Sequence, residues 1–297
     1  MSVQITTAFV SQYRGNVIFA LQQKGSRLRP CVRVETQNAE FEFYDEIGTT
    51  DAQEVLTRHS DTPLMSTPHS RRRVSLRDFD WADLVDKPDK VRTLIDPASP
   101  YAMNAVWAMG RKMDDLIFEA MYGSAYTGKT GATAVVFDTT MDIDLNYVES
   151  GGVADSGLTI GKLRKAKELL DAEENDPDEE RFVAVTAKQV TDLLKTTEVT
   201  SSDYNAVKAL VEGKIDTFMG FTFKRSQRVP TETGESLHRR CPAWVRSGVL
   251  LAISYEIGVD ISQRKDKRNA TQVYVTMGLG ATRMNEKKIV EIKCHEA

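Results

Sequence analysis

Residues 99–122 read SPYAMNAVWAMGRKMDDLIFEAMY, and this stretch decides the fold. Ser99 and Pro100 are a good N-cap and a good first helical residue, and no further proline occurs before Tyr122. The apolar residues recur with i, i+3, i+4 spacing, which is typical of a helix with one apolar face: Ala102, Ala105, Val106, Met109, Met113, Leu116, Ile117, Ala120 and Met121. Gly123 stands where a left-handed C-cap is expected. The pattern predicts a helix roughly 33 Å long, enough to cross a whole domain.

The end of this helix carries a nucleotide-binding pattern. Gly123, Gly128, Lys129 and Thr130 match G-x-x-x-x-G-K-[ST], the loop that binds phosphate in nucleotide hydrolases. That loop works because it follows a buried strand and opens a helix, whose first amides hold the phosphates. Here the order is reversed, since a helix ends at Gly123 and a strand is predicted over 132–137. The match is interpreted as coincidence in a glycine-rich turn, with a nucleotide hydrolase as the alternative.

Composition excludes several classes of protein. A chain of 297 residues allows one large domain or two modest ones, and 41% hydrophobic with 28% charged residues is typical of a soluble globular protein. No apolar run is long enough to cross a membrane, and no secretory signal is visible. The net charge of −4 argues against a dedicated nucleic-acid reader, although a local basic surface could contact DNA. The widely spaced Cys31, Cys241 and Cys294 indicate a reducing compartment.

The N-terminal third predicts an arm followed by an extended hairpin. Residues 1–30 contain a helical apolar stripe that includes Phe9 and Tyr13, which must pack on the body or on a neighbouring molecule. A simple N-terminal core helix is the alternative. From residue 31 the apolar period changes to two, and strands are predicted around 32–36, 40–43 and 71–76. The segment 31–77 is too thinly apolar to form its own core, so a protruding hairpin is predicted, with edges that another chain must cover.

This segment is rich in arginine. Eight arginines lie between Arg27 and Arg77, and no lysine lies between Lys24 and Lys87. Arginine is the better residue for bidentate pairing across an interface, which favours contacts between subunits. Two alternatives stay open for the run at 71–73, namely contact with nucleic-acid phosphate and a solvated strand end. The residues predicted to contact a neighbour are Phe9, Tyr13, Arg33, Arg58, Arg71, Arg72 and Arg73.

The remainder of the chain predicts an α/β arrangement. After an acidic, aromatic bridge over 78–90 and the long helix, a helix is expected from Ile160 with Thr159 as its N-cap, then a buried strand over 182–185. Thr186 and Gln189 form a capping box for the next helix, and Asp203 caps a further one over 204–212. Strands broken at Gly220 are expected over 215–224. An apolar helix is predicted over 248–255, then a strand over 272–277 and a closing pair over 281–284 and 288–293.

No catalytic or metal site is predicted. The four histidines, His59, His69, His238 and His295, are scattered, and none has a partner with metal-ligand spacing. Asp114 and Asp115 lie on adjacent helix faces and cannot act as an acid–base pair. Cys241 and His238 are close in sequence only, which is weak support for a cysteine hydrolase. The acidic stretch 171–180 is interpreted as a solvated turn, because it lacks the spacing and the central glycine of a calcium loop.

Taken in order, these elements resemble the Hong Kong 97-type major capsid protein of tailed bacteriophages. GLTIGKLRKAKELL (157–170) is similar to the helix that opens the axial domain of that fold, and RFVAVTAKQVTDLL (181–194) to the strand and helix that follow. GKIDTFMGFTFKRS (213–226) resembles the strand that crosses back, and GATRMNEKKIVEI (280–292) resembles the closing strands of the peripheral domain. The resemblance covers nearly the whole chain and implies an α+β fold.

The resemblance implies a domain division and a set of partners. It implies an N-terminal arm (1–30), an extended loop (31–77), a peripheral domain (78–152 and 272–297) with a spine helix over 100–122, and an axial domain (153–271). The family assembles hexamers and pentamers into an icosahedral shell around double-stranded DNA, in the virion and after assembly in the bacterial cytoplasm. The implied partners are the chain itself, a separate scaffolding protein, a portal, decoration proteins and nonspecifically bound DNA; no cofactor, enzyme activity or membrane is implied.

One departure from the family pattern is informative. Some members form a covalent cross-link between a lysine of the extended loop and an asparagine of a neighbour, and the loop of this chain has no lysine. A noncovalent shell is therefore expected, in which loop arginines pair with acidic groups such as those over 78–89. Lys129 is expected near solvent or a neighbouring subunit. A nanocompartment of the same fold, enclosing protein instead of DNA, is the other alternative.

Overall fold

The computed structural model describes residues 22–54, 57, 62, 64–86, 98–149, 151, 154–195, 217–232 and 234–296. The predicted arm with Phe9 and Tyr13, the loop residue Arg58 and the predicted helix over 204–212 lie outside these residues. None of the helices within them is long and apolar enough to cross a membrane.

The described helices are α1 (Ala98–Tyr122), α2 (Ile160–Ala172) and α3 (Ala187–Lys195). The described strands are β1 (Arg33–Thr36), β2 (Phe41–Ile47), β3 (His69–Ser75), β4 (Arg77–Val85), β5 (Ala125–Thr127), β6 (Thr133–Val135), β7 (Asp142–Ile143), β8 (Arg181–Val185), β9 (Thr217–Phe218), β10 (Phe221–Arg225), β11 (Thr231–Glu232), β12 (Glu235–Val245), β13 (Val249–Arg264), β14 (Ala270–Arg283) and β15 (Ile289–His295). They form three sheets, which are named below.

The long helix is confirmed as α1, here called the spine helix. It packs on a sheet of strand order β1-β13-β14-β4, the spine sheet, and contacts β14, β13 and β4. The predicted stripe is the buried face, with six of its residues in the core: Ala105, Met109, Met113, Leu116, Ile117 and Met121. Gly123 does not have the left-handed conformation that was predicted; its amide still donates to Glu119 O at 2.8 Å, as in a continuing helix.

The extended hairpin is confirmed, but with a different pair of strands. β2 and β3 are antiparallel from Phe41 opposite Ser75 to Ile47 opposite His69, and β5 and β6 complete this hairpin sheet. β1 does not belong to the hairpin, because it pairs in parallel with β13 in the spine sheet. The name extended hairpin is used below for β2, β3 and the connecting residues 48–68.

The α/β part has the predicted helices after Thr159 and Thr186 and the predicted strands over 182–185 and on either side of Gly220. Its sheet has the order β7-β15-β12-β8-β10-β9, with β11 beside β12, and α2 packs on β15 and β7. Thr159 caps α2 by accepting from the Lys162 amide at 3.2 Å, and Gln189 Oε1 accepts from the Thr186 amide at 3.0 Å. β9 and β10 join through Met219 and Gly220, both with positive φ, as the break at Gly220 predicted.

Three predicted elements are wrong. Residues 248–255 are not a helix: the run from Val249 to Ile253 is a fully buried stretch of β13 between β1 and β14, where a strand is apolar on both faces. The acidic bridge over 78–90 begins as strand β4, which pairs with β14. The two closing strands do not pair with each other, since residues 281–283 end β14 and β15 joins the α/β sheet between β7 and β12.

These pairings cut across the predicted domain division. β13 was placed in the axial domain but belongs to the spine sheet, and β15 was placed in the peripheral domain but belongs to the α/β sheet. One hydrophobic core runs from the spine helix into both sheets. Trp244, fully buried, donates its Nε1–H to Cys31 O at 2.9 Å and so ties β12 to the segment that precedes β1.

Candidate assembly surfaces

A buried ionic network fixes the root of the extended hairpin. Arg72 on β3 donates to Met284 O at 2.7 Å and to Glu286 Oε2 at 2.6 Å. Arg283 is fully buried and lies 3.5 Å from the other Glu286 oxygen. Its remaining donors reach three carbonyl oxygens, those of Met121 at 2.7 Å, Gly123 at 2.9 Å and Val135 at 3.0 Å.

This root network joins the hairpin, the last turn of the spine helix and the end of β14. Burial lowers the pKa of Arg283, and the carboxylate of Glu286 acts in the opposite direction. Arg72 makes its contacts inside the subunit. Its predicted role therefore changes from contacting a neighbour to holding the hairpin in place. A buried arginine that donates to several acceptors holds their segments together, because its removal would leave those acceptors without partners.

The other described arginines of the predicted set remain partly exposed. Arg71 forms an ion pair with Asp45 at 3.1 Å and lies over the ring of Phe43. Arg73 lies between the rings of Phe41 and Tyr126, at 5.5 and 5.3 Å from their centroids. Arg33, on β1 and away from the hairpin, bonds Glu35 at 2.9 Å. Exposed ion pairs of this kind hold a side chain weakly, so the guanidinium groups can exchange partners, and their contact with a neighbour stays a prediction.

The outer part of the extended hairpin has no cover from the rest of the described chain. All described residues from Ile47 to Ser70 are exposed, and the apolar side chains of Ile47 and Leu64 are 71% and 97% exposed. Exposed aliphatic residues on a protruding strand pair favour association, because burial of each would contribute about 1.5–3 kcal/mol. This outer part of the hairpin is a candidate contact surface.

The segment over residues 25–28, which precedes β1, is bound tightly to the spine helix. The buried carboxylate of Asp114 accepts from Ser26 Oγ at 2.6 Å and from the amides of Arg27 and Leu28 at 3.1 Å each. A Cβ on Gly110, one turn earlier, would lie 2.5 Å from the carbonyl carbon of Gly25. The helix therefore holds this segment by a side chain that accepts bonds and by a glycine that lets the backbone approach.

A second exposed region lies at the far end of the spine sheet. β1 pairs with β13 only over residues 250–253, so among the described strands the outer edge of β13 beyond Ile253 has no neighbour. Val259 and Ile261 are exposed on this part of β13. A strand edge with exposed branched residues can add a strand from another molecule.

The nucleotide-binding pattern does not form a phosphate loop. Gly123 follows the spine helix, residues 125–127 form β5, and Gly128 and Gly131, both with positive φ, form the turn of the β5–β6 hairpin. The motif opens no helix whose amides could hold phosphate, and Lys129 is exposed, as predicted.

The thiols are also poor nucleophiles. Cys31, Cys241 and Cys294 are all buried. Burial raises the pKa of Cys31 to about 11, and contact with the Cys294 thiol, with burial, raises that of Cys241 well above its usual value. Thiols with raised pKa values stay protonated at neutral pH, which argues against a cysteine hydrolase.

The sequence indicated the hairpin but not the residues that hold it. Arg283, Glu286 and Asp114 were missed because, apart from the pair of Arg283 with Glu286, their partners are far away in the sequence. The one available signal was Asp114 itself, a charged residue beside Met113 on the apolar side of a predicted helix.

Comparisons with known proteins agree with this architecture. The Ralstonia phage GP4 capsid is similar over 97% of this chain and 96% of its own, with a TM-score of 0.75 and 11% identity. The capsid of cyanophage P-SCSP1u is similar over 97% of this chain and 94% of its own, with a TM-score of 0.70 and 12% identity. The capsid of cyanophage Pam1 is similar over 98% of both chains, with a TM-score of 0.69 and 14% identity. At these identities the likeness shows the fold, and it confirms the predicted α+β capsid fold.

Sequence comparison supplies the family. No curated protein matches the chain significantly. The family described as phage capsid protein, however, matches residues 5–296, which is nearly the whole sequence. The chain therefore belongs to the phage capsid protein family.

Proposed function

We propose that this chain is the major capsid protein of a tailed phage and that it forms the hexamers and pentamers of an icosahedral shell around double-stranded DNA. The observation that carries the proposal is the extended hairpin, a rigidly rooted strand pair whose outer residues, from Ile47 to Ser70, have no cover within the described chain. A subunit that covers its neighbour's surface in this way makes a head-to-tail contact, and such contacts close into rings.

The three sheets support the following domain roles. The spine helix and spine sheet, which include β13 and β14, form the peripheral domain, and the α/β sheet with β15 forms the axial domain. The N-terminal arm extends to residue 30. The arm and the extended hairpin both reach neighbouring subunits, so that shell stability is the sum of many moderate contacts.

The contacts across subunits combine apolar and charged groups. Ile47 and Leu64 pack on the adjacent subunit, while Arg71 and Arg73 pair with its acidic groups, such as those on β4. Phe9, Tyr13, Arg33 and Arg58 contribute from the arm, from β1 and from the loop. Arg72 supports this interface indirectly, because it fixes the root from which the hairpin projects.

The partners and location follow from the same proposal. A separate scaffolding protein guides assembly in the bacterial cytoplasm, a portal occupies one vertex, and decoration proteins can bind the outer surface. The packaged DNA contacts local basic groups of the inner surface without sequence preference. The net charge of −4 argues against a dedicated nucleic-acid reader. The chain has a structural role and no catalytic one, and it requires no cofactor.

Electron microscopy of the expressed chain, alone and with a scaffolding protein from the same phage, tests the proposal. The expected result is closed particles of uniform size with five- and six-fold clusters. A chain that stays monomeric under both conditions would refute it. A nanocompartment is distinguished by its contents. Particles from infected cells should contain nuclease-protected DNA, whereas those of a nanocompartment would contain protein cargo.

The shell is held without covalent links between subunits. The extended hairpin contains no lysine, so the lysine–asparagine cross-link of some family members has no nucleophile there. Denaturing electrophoresis of intact particles should therefore give a single band at the 33.2 kDa mass of the chain. A ladder of heavier species that persists after reduction would contradict this expectation.

A further inference from the structure

The α/β sheet brings together two histidines that are far apart in the sequence. His238 on β12 and His295 on β15 are directly opposite each other in the antiparallel register, with ring centroids 5.6 Å apart. Asp155, in the loop before α2, completes the group. One donor atom from each of the three side chains lies within 4.8 Å of the other two.

We propose that Asp155, His238 and His295 bind a divalent transition-metal ion, with Glu232 orienting His238. Two imidazoles and one carboxylate are a donor set that suits zinc and its neighbours in the first transition row, and not magnesium or calcium, which prefer oxygen. Tetrahedral ligands ~2.0 Å from zinc are ~3.3 Å apart, so small side-chain rotations close the site. Water would supply the fourth ligand.

Glu232 is placed to hold the ring of His238 through the nitrogen that does not face the metal. Its Oε2 lies 3.3 Å from Nδ1 of His238. A metal-binding histidine usually donates its other ring N–H to a carboxylate, which fixes the ring and makes the binding nitrogen more basic. With Nδ1 engaged in this way, Nε2 of His238 is the nitrogen that would face the metal.

His295 contributes a nitrogen that lacks a partner. Its Nδ1 is buried and makes no hydrogen bond within the described chain. A buried polar atom without a partner costs free energy, and a metal ion in contact with the ring would remove that cost if this nitrogen is the ligand. This is an observation independent of the clustering of the three side chains.

The backbone around the site is held in place. The His295 amide donates to Ser156 O at 3.0 Å, next to Asp155, and Lys162 Nζ donates to Ser156 O and to Lys293 O at 2.8 Å each. The three ligands therefore lie on segments already fixed to one another. A bound ion would join β12, β15 and the loop before α2, and it would stabilise the fold in proportion to its occupancy. This inference does not depend on the proposed assembly.

Titration of the metal-free full-length chain with Zn²⁺, followed by calorimetry, tests the site. We expect saturable binding of one ion per chain and none of Mg²⁺ at the same concentration. The double variant His238→Gln/His295→Gln should lose the site. Glu232→Gln should weaken Zn²⁺ binding about 10- to 100-fold, the usual effect of removing a carboxylate that orients a metal-binding histidine. His69→Gln is the matched control, because His69 lies on β3, in a different sheet, and should leave binding unchanged.

Two further measurements test the metal site even if the double variant does not fold. Asp155 is exposed, so Asp155→Asn should fold and bind Zn²⁺ at least 10-fold more weakly. Co²⁺ bound to the unaltered chain should show the visible bands of a tetrahedral nitrogen and oxygen site. Absence of saturable binding, binding that survives both histidine substitutions, unchanged affinity in Asp155→Asn, or a thiolate charge-transfer band from a cysteine ligand would each overturn it.

Discussion

The spine helix and the extended hairpin use their polar and apolar residues in opposite ways. Along the spine helix, Asp114 is fully buried and bonded to Ser26, Arg27 and Leu28, and the apolar stripe is covered by the spine sheet. Along the hairpin beyond its root, the described residues from Ile47 to Ser70 are exposed. Arg71 and Arg73, on either side of the root residue Arg72, are half-exposed and lie over aromatic rings.

This difference separates the residues that fold the subunit from those that would join it to others. Where partners lie within the chain, a substitution should change the free energy of unfolding. Where the side chains point away from the subunit, a substitution should change assembly alone. The root network lies at the boundary, since it belongs to the hairpin by sequence and to the body by its contacts.

The largest effect is expected at Arg283. Replacing it by Met removes donors from three carbonyl oxygens and one ionic partner from Glu286, so Arg283→Met should lower the free energy of unfolding by ~3–5 kcal/mol. Arg246, half-exposed and paired with Glu180 at 3.0 Å, provides the control. Arg246→Met should cost no more than about 1 kcal/mol. Urea unfolding of the soluble subunit measures both, and equal losses would contradict the distinction.

An intermediate effect is expected at Gly110. An alanine Cβ there would lie 2.5 Å from the carbonyl carbon of Gly25 and 2.6 Å from the Ser26 amide nitrogen, and these atoms cannot move without disturbing the bonds to Asp114. Gly110→Ala should therefore lower the free energy of unfolding by ~1–3 kcal/mol, although alanine is the better helix former.

Gly161 in α2 is the matched control. The atoms nearest to a Cβ there belong to the Glu149 side chain, the closest at 3.3 Å, and that side chain is exposed enough to move. Gly161→Ala should be neutral or stabilise the subunit by up to about 1 kcal/mol. Thermal unfolding of the two variants distinguishes the effects. Gly161→Ala reports the gain in helix propensity, and Gly110→Ala also reports the clash with the backbone of residues 25 and 26. A stabilised Gly110→Ala variant would show that the segment before β1 can shift without cost.

The sequence predicted the elements with strong local patterns and missed those fixed by distant contacts. The stripe of the spine helix and the period-two strands of the hairpin repeat often enough to identify. The run from Val249 to Ile253 was misread because a strand buried on both faces has no alternation to distinguish it from a buried helix. The bonds of Asp114, the contacts of Arg283 and the approach of His238 to His295 depend on sheet pairing, which no local pattern contains.

The smallest effect on stability, and the largest on assembly, is expected at the outer hairpin. Ile47 and Leu64 are exposed in the subunit, so Ile47→Asp with Leu64→Asp should change its free energy of unfolding by no more than ~0.5 kcal/mol each. Burying two carboxylates against a neighbour would oppose association, because a charge without a partner is costly to desolvate. Particle yield, measured by sedimentation and electron microscopy after co-expression with scaffold, should therefore collapse.

Val136, 69% exposed and located after β6, is the control for added charge. Val136→Asp introduces the same carboxylate outside the extended hairpin and should leave the particle yield near that of the unaltered chain. A normal particle yield from the hairpin double variant would show that these hairpin residues do not form the interface. Equal losses from both sites would mean that added charge at any exposed position prevents assembly, and that the hairpin has no special part in it. Only a loss confined to the hairpin, with unchanged subunit stability, supports the division between residues that fold the chain and residues that join it to its neighbours.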